Sequence, residues 1–297
     1  MAQTITAATL ASSLSEERFQ RYYEEAGPDY AAWSPGFNMH FGYYRSGMNP
    51  FDREAMLEQM NCEVLDRLRI SSGGAPRVLD MGCGLGATLR TIARKLPNAE
   101  LHGITLVPWQ LEQGRRLNQS AAGTSHIRLA LANYEDTGYP SMNYDAVYAL
   151  ESSCYGTGSG KSRLIREAHR LLRPGGRLVV ADGFISQGRF RGPQRAIFRK
   201  LCECWVIETL GDIRAFAEEL RNAGFRDITV ERMQAGVSPS VFHVPFVTMK
   251  FLLTDVLFGP RKMTQARWNN VLAPVLLPLV GFPVGPLAYF LVSATRA

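Results

Sequence analysis

An α/β fold, a mostly parallel sheet with helices on both faces, is what this sequence predicts, and three observations predict it. From residue 77 to residue 232 short apolar runs alternate with helical patterns, the order that strand–helix–strand units require. The first apolar run ends in an acid and a glycine-rich turn, Asp80-Met81-Gly82-Cys83-Gly84-Leu85-Gly86, which opens a helix. Punctuation falls where such units need it. Arg173-Pro174-Gly175-Gly176 stops a helix and leads into a strand, and Gly224 caps another helix.

Taken in order, the apolar runs predict strands at 77–81, 101–106, 127–132, 144–150, 177–181 and 227–231, with a last strand at 288–293. Helical patterns occupy 87–96, 108–119, 162–172 and 212–223, and a further apolar helix is expected near 193–210. Residues 1–72 read as an N-terminal helical cap, broken by the aromatic stretch from Trp33 to Tyr44. Residues 73–235 form the core, 236–286 a hydrophobic insertion, and 287–297 the last core strand.

Within the tail, residues 271–295 carry no charge and are long enough to span a bilayer. Prolines 274, 278, 283 and 286 and glycines 281 and 285 argue against one regular helix there. The insertion is expected to roof a hydrophobic cavity or to touch a membrane from one side.

Composition narrows the function. The chain of 297 residues is 46% hydrophobic and 20% charged, enough apolar material for a sizeable core. Its 33 basic residues are scattered, so the net charge of +6 does not form a nucleic-acid arm. Five cysteines without a repeating framework, and no secretory leader in residues 1–13, point to reduced thiols and a cytoplasmic protein. The five histidines lack ligand spacing and no C-x-x-C accompanies them, so no protein metal site is expected.

The glycine pattern Asp80-x-Gly82-x-Gly84-x-Gly86 differs from the G-x-G-x-x-G of dinucleotide sites. It resembles the first motif of class I S-adenosylmethionine-dependent methyltransferases, which implies a Rossmann-like methyltransferase sheet and S-adenosyl-L-methionine as cofactor. That ligand carries an ammonium and a cationic sulfur, which suit an acid such as Asp80. The resemblance places Thr105, Leu106 and Gln110 at the ribose end, and Asn133 and Tyr134 at the adenine. Thr105 and Asn133 stand where the family commonly has acids. A hydroxyl or an amide can still hydrogen-bond there.

Three further segments narrow the resemblance. Residues 103–118 (GITLVPWQLEQGRRLN) look like their counterpart in cyclopropane synthases and sterol C-methyltransferases. Residues 144–155 (YDAVYALESSCY) resemble a segment of sterol and prenyl-diphosphate C-methyltransferases. Residues 22–44 are similar to the N-terminal segment of the same group, which tocopherol and glycine-type N-methyltransferases partly share. The likeness runs from about residue 22 to 184 and fades in the tail.

It implies C-methylation of an isoprenoid or terpenoid, with Glu151 as carbocation stabiliser and base. Tyr23, Trp33, His40 and Tyr155 could offer π-faces to the cation. The alternative is O- or N-methylation of a lipophilic metabolite or quinol, with His40 as the base. The partners expected are thus a lipophilic small molecule and no nucleic acid, with peripheral membrane contact and homo-oligomers left open.

Residues 156–162 (GTGSGKS) imitate a P-loop, but the first glycine of that motif would fall on Tyr155. Lys161 is expected instead to meet a phosphate on the acceptor, where backbone amides and a helix start converge.

Overall fold

Apolar side chains that alternate along a strand must find cover on both faces, and the helices between the strands supply it. The computed structural model describes residues 7–70, 73–121, 123–124, 126–186, 190–280 and 285–297, with backbone only over 7–15. Two helices, α1 (Ala7–Ala26) and α2 (Arg53–Leu68), precede the first strand, β1 (Arg77–Met81). Then α3 (Ala87–Lys95), β2 (Glu100–Thr105), α4 (Pro108–Ser120), β3 (Ile127–Leu131) and β4 (Tyr144–Leu150) alternate. They are followed by α5 (Ser162–Leu171), β5 (Leu172–Ile185), α6 (Pro193–Cys204) and the short β6 (Gly211–Asp212). The chain continues through α7 (Ile213–Asn222), β7 (Phe225–Arg232), α8 (Gln234–Val241), α9 (Val244–Phe251) and α10 (Gln265–Leu276) to β8 (Leu287–Arg296).

The sheet runs β3-β2-β1-β4-β5-β8-β7, with β6 paired to β5 beside that path. Strands β1 to β6 pair in parallel, and β8 lies antiparallel between β5 and β7. The order reverses between β1 and β4, so the crevice beyond their carboxyl ends is where such a sheet takes a ligand. Strand β5 outruns the predicted 177–181 because it finds partners on both sides, in β4 and β8.

Strand alternation divides the interior into two layers. Leu79, Met81, Val147, Ala149, Leu178 and Val180 pack with α5 and α7. Val78, Ala146, Tyr148, Val179 and Ala181 face the opposite layer, built on α2, α3 and α8. Each aliphatic side chain so buried is worth about 1.5–3 kcal/mol against exposure.

The uncharged stretch 271–295 is not one helix. It divides into the end of α10, a 3-10 turn (Leu277–Val280) and β8. The prolines account for part of this break. Gly281 and Pro283 lie outside the described residues, as does the start of the N-terminal segment read for a leader.

Cap and insertion are tied together above the sheet. Asp29, on the 3-10 turn after α1, accepts from Arg267 of α10 through both oxygens, at 2.8 and 3.0 Å. The other guanidinium nitrogen donates to the carbonyls of Arg261 and Lys262. The paired side chains are only 2% and 4% exposed. Arg261 also donates to Asp29 Oδ1, at 2.6 Å, so Arg267→Ala leaves the carboxylate one cation and removes two charge-assisted bonds, at an expected cost of about 1.5–3 kcal/mol. Urea denaturation checks this: an unchanged midpoint would show that the pair does not hold cap to insertion.

Candidate active site

A cavity of about 530 Å³ opens beyond the carboxyl ends of the parallel strands. Asp80, Gly82 and Gly84 line it from the end of β1, Thr105, Leu106 and Gln110 from the end of β2, and Asn133 and Tyr134 from the end of β3. Helix α1 closes it from above with Glu16, Phe19 and Tyr23. Gln20 holds that lid in place by donating to the Leu106 carbonyl at 2.9 Å.

Two glycines explain the turn. Gly82 has φ +102°, and a Cβ there would lie 2.4 Å from Cβ of Ser152. Its absence lets β1 and β4 end side by side, with the Ser152 hydroxyl donating to the Met81 carbonyl at 2.5 Å. Gly86, expected among the cofactor residues, does not line the cavity. It enters α3 in a left-handed conformation with no side-chain cap, so its glycine serves the helix start.

Polar groups along the wall are partly committed. The Thr105 hydroxyl donates to Gln110 Oε1 at 2.6 Å and accepts from the Val107 amide at 3.1 Å. It shapes the turn, and Gln110 is the member of the pair with polar capacity left. Asn133 closes an Asx turn onto the Glu135 amide at 2.9 Å. Asp80 is buried beside the Tyr148 hydroxyl, and burial pushes its carboxyl up to about 7. No basic side chain offsets that burial. A buried acid without a cation, on the wall of a ligand-sized cavity, fits a ligand that brings the positive charge.

A second, smaller cavity of about 210 Å³ lies against the first. Tyr30, Trp33 and Phe41 from the N-terminal segment and Trp205 line it, together with the inner faces of α9, α10 and β8. Tyr23, Met39, His40, Glu151 and Tyr155 line both cavities, so they form the shared wall. The Tyr23 and Tyr155 hydroxyls lie 2.9 Å apart.

Glu151 stands at the end of β4 with φ +48°, a left-handed conformation that a side-chain-bearing residue adopts at a cost. One carboxylate oxygen accepts from the Phe41 amide at 2.7 Å and from the Tyr289 hydroxyl at 2.9 Å. Burial pushes the carboxyl up to about 8 despite the Phe41 bond, and the charge of Asp182 adds to the rise. His40 is held down to about 4 by burial, hence neutral, with Nδ1 2.9 Å from the Phe41 carbonyl.

Lys161 is a correction. Its ammonium donates to the carbonyls of Cys154, Gly156 and Thr209, at 3.1, 2.6 and 2.8 Å, and the residue is 1% exposed. All three donors are spent on the backbone and the side chain lines neither cavity, so it does not meet an acceptor phosphate.

Sequence reasoning missed Tyr289, Asp182 and the α1 residues Glu16 and Phe19. A hydroxyl or an acid in an otherwise apolar strand, as in Ala288-Tyr289-Phe290 and Val180-Ala181-Asp182, is the signal that could have found the first two. Among the described residues no group of three or more His, Cys, Asp or Glu side chains is placed to hold a metal ion.

Residues 78–176 match the family described as a methyltransferase domain. An O-methyltransferase of Aspergillus sclerotiorum is 27% identical over 201 residues, 68% of this chain and 73% of the relative. Cycloartenol-C-24-methyltransferase of Arabidopsis thaliana is 29% identical over 240 residues, 79% of this chain and 68% of the relative. Geranyl diphosphate C-methyltransferase of Streptomyces coelicolor superposes with a TM-score of 0.68 at 16% identity, over 95% of this chain and 98% of that one.

The carboxyl of Asp80 gives a pH signature. A cationic ligand favours its ionised form, so below about pH 7 binding must first remove a proton. The affinity for S-adenosylmethionine is expected to fall by up to about tenfold per pH unit below that point, with proton release on binding. Calorimetry in buffers of different ionisation enthalpy measures both. Asp80→Asn should abolish the pH dependence, and a flat wild-type profile from acid to neutral would show that the carboxyl does not meet the cation.

Proposed function

This chain belongs to the class I S-adenosylmethionine-dependent methyltransferases, and on that premise we propose that it C-methylates an isoprenoid or terpenoid acceptor through a carbocation. The observation that carries the reading is the place of Glu151, on the wall shared by a polar cavity suited to the cofactor and an apolar, aromatic one suited to a greasy acceptor. Two of the similar proteins accord with it, the cycloartenol-C-24-methyltransferase of Arabidopsis thaliana and the geranyl diphosphate C-methyltransferase of Streptomyces coelicolor. Cofactor and enzyme class stand independently of the acceptor.

When bound, S-adenosylmethionine supplies an electrophilic methyl group on a cationic sulfur. Asp80 would hold its positive end, and Gln110, Asn133 and Tyr134 its nucleoside. An acceptor in the apolar cavity would meet that methyl group across the shared wall, and alignment can supply much of the rate. Transfer of that methyl group to an alkene would use the π pair for the new carbon–carbon bond and leave positive charge on the neighbouring carbon of the acceptor. Tyr23, Tyr155 and Trp33 offer π-faces to that charge, and the Glu151 carboxylate stabilises it. Loss of a proton from the cation to Glu151 restores the double bond. With the carboxyl pushed up to about 8 in the free protein, the ionised form that this step needs predominates only above that pH, so turnover is expected to rise as pH climbs through neutrality towards 8.

A second reading, O- or N-methylation of a lipophilic metabolite, rests on His40. It reaches both cavities in its neutral form and could take a proton from a hydroxyl or an amine.

A cofactor labelled with carbon-13 in its methyl group separates the two. Offered a panel of isoprenoid diphosphates, sterols, quinols and terpenoid indoles, the enzyme should give an aliphatic C-methyl resonance. Glu151→Gln keeps the carbonyl that accepts from Phe41 and Tyr289, so it should lower kcat by about 10²–10⁴-fold with cofactor affinity nearly unchanged. A methoxy or N-methyl resonance, surviving in Glu151→Gln, would sink the carbocation mechanism.

A further inference from the structure

Helices α9 and α10 each have two apolar faces. On α9, Val244, Val247, Thr248 and Phe251 line the apolar cavity. On the other side Phe242, Phe246, Met249, Leu253 and Leu257, at helical spacing along α9 and the turn after it, are all exposed. On α10, Asn270, Val271, Pro274 and Leu277 look inward. Trp268, Leu272, Val275 and Leu279 repeat the outward stripe. The helices are neighbours, since the Arg267 guanidinium lies 5.6 Å from the Phe251 ring. Phe258 and Phe51, each 84% exposed, extend the face, and His243 touches the Pro50 carbonyl next to Phe51. An ordinary surface helix puts polar residues there, and an apolar face of this extent marks a binding surface.

The surrounding charge says what covers it. Residues 233–286 hold four basic side chains, Lys250, Arg261, Lys262 and Arg267, against the single acid Asp255. Of these, Lys250 and Lys262 are exposed and make no ion pair among the described residues. Helix α6, packed on α10 through Leu201, Cys204 and Ala273, adds exposed Arg195, Arg199 and Lys200, the last two paired with Glu203, and exposed Arg191 precedes it. Two copies of this face would bring like charges together. An anionic lipid surface complements both the apolar stripes and their basic borders. The span Gln234–Val256 is long and apolar enough to cross a membrane by length and composition. Its inner face, however, is committed to the cavity wall.

We propose that α9, α10 and the turns that follow them dock on the surface of an anionic phospholipid bilayer, from which the acceptor enters the cavity that the same helices roof. The docking stands on the exposed face alone. Acceptor entry from the lipid rests on the lipophilic acceptor of the proposed function. The outer stripes would sink into the acyl boundary, Trp268 would lie at the headgroup level, and the inner faces would meet the acceptor as it leaves the lipid.

The test is co-sedimentation of the full chain with vesicles of equimolar phosphatidylcholine and phosphatidylglycerol, no acceptor being needed. Most of the protein should pellet at low salt, and less with phosphatidylcholine alone. The double substitution Phe246→Ser with Phe258→Ser should reduce the bound fraction by about tenfold or more, and Lys250→Glu with Lys262→Glu should abolish the preference for anionic lipid. Neither pair lines a cavity, so cofactor affinity should be unchanged, which also reports that the variants fold. Failure to pellet would overturn the docking surface, as would a dimer in sedimentation velocity that the phenylalanine substitutions dissociate. Methyl transfer to a detergent-dispersed isoprenoid would survive that failure. Conversely, vesicle binding by an enzyme that methylates only hydrophilic acceptors would support docking and sink the proposed function.

Discussion

The Glu151 carboxyl joins three distant parts of the chain. Its oxygen accepts from the Phe41 amide in the N-terminal segment and from the Tyr289 hydroxyl in the last strand, while its own amide donates to Ala181 in β5 at 2.8 Å. The backbone there is left-handed, a conformation that costs on the order of 1–3 kcal/mol for a residue with a side chain. Burial adds a second cost, since the folded state holds the acid's proton to a higher pH than the unfolded chain does. Its carboxyl therefore withdraws stability as pH rises from the ordinary range of a glutamate to about 8. Strain and desolvation concentrated on one side chain, at the meeting of two cavities, make Glu151 a candidate functional group.

Around that point the fold separates two chemistries. The strand-order reversal between β1 and β4 opens a crevice whose walls are turns, and turns bring backbone groups, glycines and short polar side chains. The apolar cavity has no such origin. Its walls are helices added before and after the core, and the buried Asp29–Arg267 pair binds them to each other. A polar cavity thereby lies on one side of Glu151 and an apolar one on the other, with tyrosines and a histidine between them.

The glycine-rich loop 156–162 shows how a motif can be right about local shape and wrong about its use. Lys161 starts α5 in a left-handed conformation, and its ammonium turns back onto three carbonyls. Those bonds give partners to the carbonyl of Gly156 in the loop and to those of Cys154 and Thr209 outside it. The lysine is a brace beneath the active site.

By itself the sequence determined the alternating sheet, the glycine-rich turn at Asp80–Gly84, the strand ends that carry Thr105 and Asn133, and the candidacy of Glu151. These are local properties. Period-two burial, a turn that demands glycine, and an acid at a strand end are written in neighbouring residues. Only the tertiary structure decided that Tyr289 and Phe41 hold Glu151, that Asp29 clasps Arg267, that Gly86 stands at the helix start outside the cavity lining, and that Lys161 is spent on carbonyls. The hold on Glu151, the Asp29–Arg267 clasp and the Lys161 bond to Thr209 depend on where a backbone or side chain far along the chain arrives in space. No periodicity encodes that, because a hydrogen bond is specified by geometry at its two ends and not by the residues in between.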